Sequence, residues 1–420
     1  MRIGVLTWGS EGDLRPFLAL SRGLSEAGHE VTLSYATFTE MPELSVRGVA
    51  KAVPVTPPYD LASVRQLSRQ LIGKKVSPDK QIALLFGSLL YPMEQQLVDA
   101  AEALCRDNDL VVGHFVAYPL AMAAQKAGRP RVSVFTAPSL PSRTYVPAGV
   151  PYLGELVTRL FWWIGGFAVE RSFGGPVRRL FRAHGLSPAK SLLHDVWGSP
   201  LLNLVGVSPS LFPQPEDWPA HTTVCGHLSS GEQELWELPE SLRRFLAGGP
   251  PPVFMTFGSM TAADEDACAA TQRLIDAARL AGCRAIIQSD WVRAADLPES
   301  PDVFRLSRAS HEAVFPLCRA VVHHGGAGTS HAAARAGRPS VVVAHATDQL
   351  FWANTLRRAG LAGAPLERHS FTSESVAAAI RLVLESSEMT RRATDIGQAM
   401  RREDGVRAAV ERISAVLPRA

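Results

Sequence analysis

The sequence predicts an α/β protein made of two doubly wound parallel sheets, and three observations carry that prediction. β-branched apolar runs end in glycine and pass into helix-spaced segments near both ends of the chain, at 2–36 and 251–345. The same strand–helix–strand order recurs at 109–137. A proline-rich, aperiodic stretch, 213–230, separates the two series.

Taken in order, RIGVLTW (2–8) reads as a strand, GSEGD as the turn after it, and LRPFLALSRGLSEAG as a helix. Leu14, Phe17, Leu18, Leu20 and Leu24 give that helix its apolar face, Gly28 stops it, and HEVTLSYA (29–36) is the next strand. DLVVGHF (109–115), LAMAAQKAG (120–128) and PRVSVFTA (130–137) repeat the unit. SLPSRTYVPAGVPYLG (139–154) reads as a loop. After Pro213, Pro215 and Pro219 the pattern restarts with PPVFMTFGSM (251–260), a helix from Asp264, and the strand CRAIIQS (283–289). HEAVFPLC, VVHHGGAGT, SHAAARAG and PSVVVAH complete a further β-α-β unit, and helices close the chain. The predicted organisation is therefore a domain over 1–212, a linker over 213–230, a second domain over 231–400, and a charged last helix over 401–420 expected to cross back to the first domain.

Bulk properties narrow the function. At 420 residues the chain exceeds one ordinary core and suits two domains of roughly 200 residues. A formal net charge of +3 gives no case for nucleic acid as main partner, which would need a clustered basic face. The five cysteines (Cys105, Cys225, Cys268, Cys283, Cys318) lack C-x-x-C spacing, which suits a reduced compartment and no zinc site. MRIGVLTWGSEGD has one positive charge and a short apolar run but then two acids and no small-residue cleavage site, and does not read as a signal peptide. The densest apolar run, LFWWIGGFAV (160–169), is half of the roughly 20 residues a bilayer needs. The expectation is a cytoplasmic protein with no stable membrane insertion, monomeric or homodimeric.

The chemistry concentrates in VVHHGGAGTSHAAA (321–334). Glycines at a strand end let an anion approach the backbone without a Cβ in the way, and a following helix offers free N–H groups and partial positive charge. Gly326, Ala327, Gly328 and Thr329 supply such a cradle, with the His324 imidazole beside it; the plain alternative is a strand–helix turn whose glycines serve packing. There is no G-x-x-x-x-G-K-[ST], and His331 stands where G-x-G-x-x-G would need its third glycine, so ATPase and dinucleotide readings are weak. That leaves a diphosphate held as leaving group open. Further on, HATDQLFWAN places Asp348 and Gln349 after another strand, a carboxylate–amide pair suited to vicinal sugar hydroxyls, although acids also begin helices routinely.

HHGGAGT-S-x-x-A, then G-x-P at 337–339 and D-Q at 348–349, resembles the nucleotide-sugar signature of family 1 glycosyltransferases of the GT-B fold. WGSEGDLRPFLALSRGLSEAGHEVTL resembles the G-S-x-G-D-x-x-P block of their bacterial natural-product and sterol-glucosyltransferase branch. The resemblance lies in that block and from residue 251 onward; 50–210 matches in general shape and is where acceptor choice is expected to reside. It implies two Rossmann-like domains facing a cleft, an α-linked UDP- or TDP-sugar as donor, inversion to a β-glycoside, and no metal or other cofactor. It implies Asp13 as catalytic base, where plant members carry histidine; a helix N-cap is the plainer role. An Asp with a pKa of about 3.9 is a poor base, and burial is expected to raise it. Ser259 joins His324 and residues 326–329 around the diphosphate, Asp348 and Gln349 hold the sugar, and the stretch near Ser307 meets the nucleobase, without the tryptophan many plant relatives use there. Asp264-Glu265-Asp266 spells D-x-D but opens a helix, where acids complement the dipole.

The acceptor side is less sharply written. Ser10, His114, Phe161 and Trp162 are candidates for it. The aromatic run Phe161, Trp162, Trp163 and Phe167 suits an apolar acceptor pocket, a membrane-gripping face, or the buried side of an ordinary helix. The expected acceptor is a hydroxyl of a hydrophobic aglycone: a polyketide, macrolide, peptide aglycone or sterol-like lipid. Two rivals share the fold: a nucleotide-sugar epimerase or hydrolase needing no acceptor, and a non-catalytic nucleotide-sugar-binding partner protein.

Overall fold

A computed structural model describes residues 1–37, 49, 51–55, 67, 70, 78–146, 150, 152–229, 236–258, 265–289, 300–345 and 347–417. The described residues fall into two compact units. The first comprises those of Met1–Leu67, Ser77–Ser230 and Asp404–Ala420; the second comprises those of Ser68–Val76 and Gly231–Glu403.

The first unit is built on a seven-stranded parallel sheet ordered β3-β2-β1-β4-β5-β6-β7. Its strands are β1 (Arg2–Gly9), β2 (Glu30–Thr37), β3 (Lys51–Pro54), β4 (Leu110–His114), β5 (Arg131–Phe135), β6 (Leu202–Val205) and β7 (Thr222–Val224). β1 is buried from Ile3 to Gly9, as expected of a central parallel strand covered on both faces. The helix Glu11–Glu26 lays Leu14, Phe17, Leu18, Leu20 and Leu24 on the sheet, and Gly28 (φ +86°) turns the chain into β2.

The second unit repeats the plan with six strands ordered β10-β9-β8-β11-β12-β13. They are β8 (Val253–Thr256), β9 (Ala285–Gln288), β10 (Val303–Leu306), β11 (Ala320–His323), β12 (Ser340–Ala344) and β13 (Leu366–Glu367). Val253, Met255, Ala320, Val322, Val341 and Val343 pack one face against the helices Glu265–Ala281 and Ser373–Glu385. In both sheets the strand order reverses beside the first strand, between β1 and β4 and between β8 and β11. A ligand crevice forms beyond the carboxyl ends of strands at such a reversal.

The stretch expected as linker and the last helix both lie in the first unit. The stretch 213–230, expected as linker, is largely bound to the first unit. β7 lies within it, the Trp218 indole N–H donates to the Pro141 carbonyl (3.0 Å), and Asp217 accepts from the Ser142 hydroxyl (2.8 Å) and the Arg143 N–H (2.7 Å). A three-residue edge strand is too short to show periodicity, and edges tolerate nearby proline. The helix Gly405–Val416 packs on the first unit, with Ala409 and Ile413 in its core beside Leu14 and Phe17. Its first residue meets Gly226 so closely that a Cβ on Gly226 would stand 2.7 Å from the Gly405 Cα.

Candidate active site

At the reversal of the first sheet, β1 ends in Gly9 and the helix Glu11–Glu26 begins. Ser10 is the N-cap and Asp13 the third helical residue, not the cap itself; the helix starts earlier than the apolar pattern shows because Glu11 and Gly12 carry no periodicity. One carboxylate oxygen, Asp13 Oδ2, accepts from the Ser10 backbone N–H (3.0 Å) and hydroxyl (2.9 Å). The other, Oδ1, faces His114 Nε2 at 3.6 Å. β4 pairs with β1 and delivers His114 as its last residue. The Asp13 side chain remains 34% exposed, so a substrate hydroxyl can reach it; that of His114 is 5% exposed.

Burial pushes the Asp13 carboxyl up, but the facing His114 and the two Ser10 donors together hold it below its ordinary value. The sequence led us to expect the opposite direction. Ser10, read as an acceptor-side candidate, is a partner of the carboxylate. Gly9 (φ +133°) makes room for this arrangement, since a Cβ there would lie 2.4 Å from Asp13 Oδ2. Gly9→Ala is therefore expected to displace the carboxylate and cut turnover more than about tenfold while nucleotide affinity holds, as steady-state rates beside titration calorimetry would show.

At the reversal of the second sheet, β8 runs into Gly258 and β11 into His324. The His324 ring is wedged between two glycines. A Cβ on Gly258 would stand 2.7 Å from its Cε1, and one on Gly326 2.5 Å from its Nε2. Gly325 (φ +92°) turns against the Gln349 backbone, where a Cβ would meet the Gln349 carbonyl at 2.9 Å. The helix Ala327–Arg335 then begins, with Gly326 as its N-cap and no side chain capping it. Its first N–H groups, at Ala327, Gly328 and Thr329, point out of the helix start, and Gly328 is exposed. Burial lowers His324 to about 4, so it is neutral at pH 7 and acts there as a dipole and spacer, not a cation.

The other candidates fall as follows. Ser259 and Asp264 lie outside the described residues. Asp348 is exposed in the first turn of the helix Thr347–Arg358; Gln349 is buried, and its Oε1 accepts from the His345 N–H at 2.7 Å, so part of its amide is committed to the loop. Ser307 is exposed just after β10. Phe161 is half-buried. Trp162 donates its indole N–H to the Tyr145 carbonyl (2.8 Å) and stands edge-on to that ring. The helix Glu155–Ala183 leaves Leu156, Leu160, Trp163 and Phe167 exposed, Trp163 by 70%, while Phe173 and Phe181 further along it are buried. A cavity of about 480 Å³ lies against Trp162, Trp163 and Phe167; neither Asp13 nor His114 lines it. His345 escaped sequence reasoning: it is buried, its ring centroid is 6.1 Å from that of His324 and 4.7 Å from that of Phe257, and only its position two residues before the Thr347–Arg358 helix marked it.

A family model for the C-terminal domain of erythromycin biosynthesis protein CIII-like proteins matches residues 272–413. Over 413 residues the chain is 32% identical to the O-mycaminosyltylonolide 6-deoxyallosyltransferase of Streptomyces fradiae, covering 97% of this chain and 95% of that one. It belongs to the family 1 glycosyltransferases. A sterol 3-beta-glucosyltransferase of Arabidopsis thaliana, UGT80B1, is 28% identical over 440 residues, covering 100% of this chain and 68% of that one. Among solved structures, the calicheamicin glycosyltransferase CalG4 matches with a TM-score of 0.70 at 19% identity over 100% of this chain and 99% of that one. VinC in complex with DTDP matches at 0.67 and 20% identity over the whole of both chains. These likenesses identify the two sheets as a GT-B fold. The chain is an inverting glycosyltransferase using a nucleotide-sugar donor, and among its described residues no helix is long and apolar enough to cross a membrane.

Proposed function

We propose that this glycosyltransferase moves a sugar from a UDP- or TDP-sugar to a hydroxyl of a hydrophobic natural-product aglycone, with Asp13 as base and the helix start at 327–329 as diphosphate cradle. One observation carries the reading. A reachable carboxylate stands at the strand reversal of the first sheet, and an uncapped, glycine-lined helix start stands at that of the second.

The division of labour follows from the chemistry. The acceptor oxygen bonds to the anomeric carbon from the face opposite the diphosphate, and the carbon–oxygen bond to the diphosphate breaks, its electron pair leaving with the nucleotide. The acceptor proton passes to Asp13. Negative charge grows on the leaving diphosphate, and the N–H groups of Ala327, Gly328 and Thr329 are donors suited to meet it where it grows. His324 shapes that surface by holding Gly258 and Gly326 apart. Asp348, exposed, is the better placed of the Asp–Gln pair to bind sugar hydroxyls, and the backbone beside Ser307 takes the base. Two transferases similar to this chain bear names for acting on O-mycaminosyltylonolide and on sterols, which supports an apolar acceptor.

The test is acceptor-dependent release of nucleotide. Incubation with TDP- and UDP-sugars and a panel of macrolide, polyketide, peptide and sterol acceptors should release TDP or UDP only when an acceptor is present, with a glycoside formed in equal amount. Release without acceptor, at the same rate, would instead favour a hydrolase. Gly326→Ala drives a methyl group into the His324 ring, and nucleotide affinity should fall at least about tenfold in titration calorimetry, a loss of about 1.4 kcal/mol.

A further inference from the structure

We propose that the exposed face of the helix Glu155–Ala183 is a docking surface for an anionic lipid membrane, on which the protein lies without crossing it. The inference does not depend on the base, the donor or the acceptor.

Apolar exposure is concentrated here. Of the twelve large apolar side chains exposed among the described residues, seven fall between Tyr152 and Phe167. Leu156, Leu160, Trp163 and Phe167 stand three or four positions apart, so they form one stripe along the helix, with Ile164 beside it. Single exposed leucines are ordinary, but a contiguous stripe that includes tryptophan marks an interaction surface. The helix that carries it is firmly held. From its other face Trp162 donates to the Tyr145 carbonyl and stands edge-on to that ring, and Tyr145 in turn meets Phe212 and Trp218. Gly166 faces Leu193, and Phe173, Val177 and Phe181 bury the helix further along.

Charge selects the occupant. Arg159 lies at the edge of the stripe, between Leu156 and Trp163, and Arg171 continues it one turn past Phe167. Both are exposed, and neither makes an ion pair among the described residues. The one acid of the helix beyond its first residue, Glu170, is taken by Arg178 and the Leu192 N–H. The cavity of about 480 Å³ beside Trp163 and Phe167 is lined by Arg143 and Arg159 as well, and its acid, Asp217, already accepts from the Ser142 hydroxyl and the Arg143 N–H. Aromatic walls under guanidinium groups suit a lipid phosphate and the start of its acyl chain. A helix with tryptophan, leucine and phenylalanine on one side and arginine at its flanks lies in the membrane–water interface, where the arginines meet anionic headgroups. The stripe is narrow for a protein partner, since a stable interface takes about 20–30 residues a side. A bilayer demands no matching shape.

The experiment is co-sedimentation of the full chain, without donor or acceptor, with vesicles of phosphatidylcholine and of phosphatidylcholine mixed with phosphatidylglycerol. The wild type should bind the mixed vesicles several-fold more than the neutral ones, and that binding should weaken as salt rises past about 0.15 M, where screening shortens to about 8 Å. Leu160→Gln, Trp163→Gln and Phe167→Gln combined should lose at least about tenfold of the binding to mixed vesicles. Arg159→Gln with Arg171→Gln should keep the weak binding to neutral vesicles and lose the preference for anionic ones. These side chains are exposed, so circular dichroism should show an unchanged fold. Where the triple variant fails to fold, Trp163→Gln alone, expected to lose a few-fold, keeps the test. A wild type that binds neither vesicle, that binds both equally, or that is matched by the triple variant would overturn the proposal. So would light scattering that shows a wild-type dimer split by the triple variant, which gives the face to a second copy.

Discussion

Asp13→Asn is expected to reduce kcat by about a thousandfold and to leave nucleotide affinity within a factor of two. General-base catalysis contributes roughly 10²–10⁴ in rate, and here it acts on an alcohol, which needs it most. Asparagine keeps an oxygen for the Ser10 N–H and hydroxyl, so the capping of the helix Glu11–Glu26 should survive and the loss should be chemical, not structural. The proposed nucleotide cradle belongs to the other compact unit, built on β8, β11 and the helix Ala327–Arg335, which is why nucleotide affinity should not follow. Paired rate and calorimetric measurements on one preparation decide the matter. A mutant that turns over within a few-fold of wild type removes Asp13 from the chemistry.

A second large effect is expected on stability in mild acid. His323, His324 and His331 are buried in the second unit, and burial lowers them from the ordinary 6.5 to about 3, about 4 and about 4; His345, buried beside them, is shifted in the same direction. Each stays neutral in the folded chain over a range where the unfolded chain takes up a proton. Their contribution is thus fully present above pH 6.5 and is lost as pH falls from 6.5 toward about 4. At pH 5, about 1.5 units below the unfolded value, each such histidine costs about 2 kcal/mol. Several together rival the net stability of a domain, about 5–15 kcal/mol. A thermal-unfolding series from pH 8 to pH 5 should show the melting temperature dropping steeply below pH 6.5, well above the range where carboxylates titrate. A flat profile over that interval would mean that these imidazoles are hydrated or paired in solution.

Much of the scaffold was legible because central parallel strands write themselves as apolar runs. β1, β4, β8, β11 and β12 each end where the sequence changes to glycine, histidine or a helix start. The short edge strands β3, β7, β10 and β13, two to four residues long, have no room for a pattern, and β7 was hidden in a proline-rich stretch. The glycine turn was readable as an anion cradle because backbone approach has a local signature. Its construction was not. That His324 is clamped between Gly258 and Gly326 depends on β8 and β11 being neighbours, a non-local fact. Asp13 stood out by motif, but its partner His114 arrives through the pairing of β1 with β4, and with it the sign of the pKa shift reversed from expectation. Gln349 was legible as a polar residue near the turn, while its commitment to the His345 N–H was not.

The most direct test of the central claim is a thermal-shift and calorimetric panel of TDP, UDP, GDP and ADP on the wild type, His324→Ala and Gly326→Ala. The account predicts a clear shift with TDP or UDP, about 2.7 kcal/mol of added stability at a hundred times the dissociation constant, and its loss in both variants. A nucleotide diphosphate that stabilises the variants as well as the wild type would show that the glycine turn is not the diphosphate site.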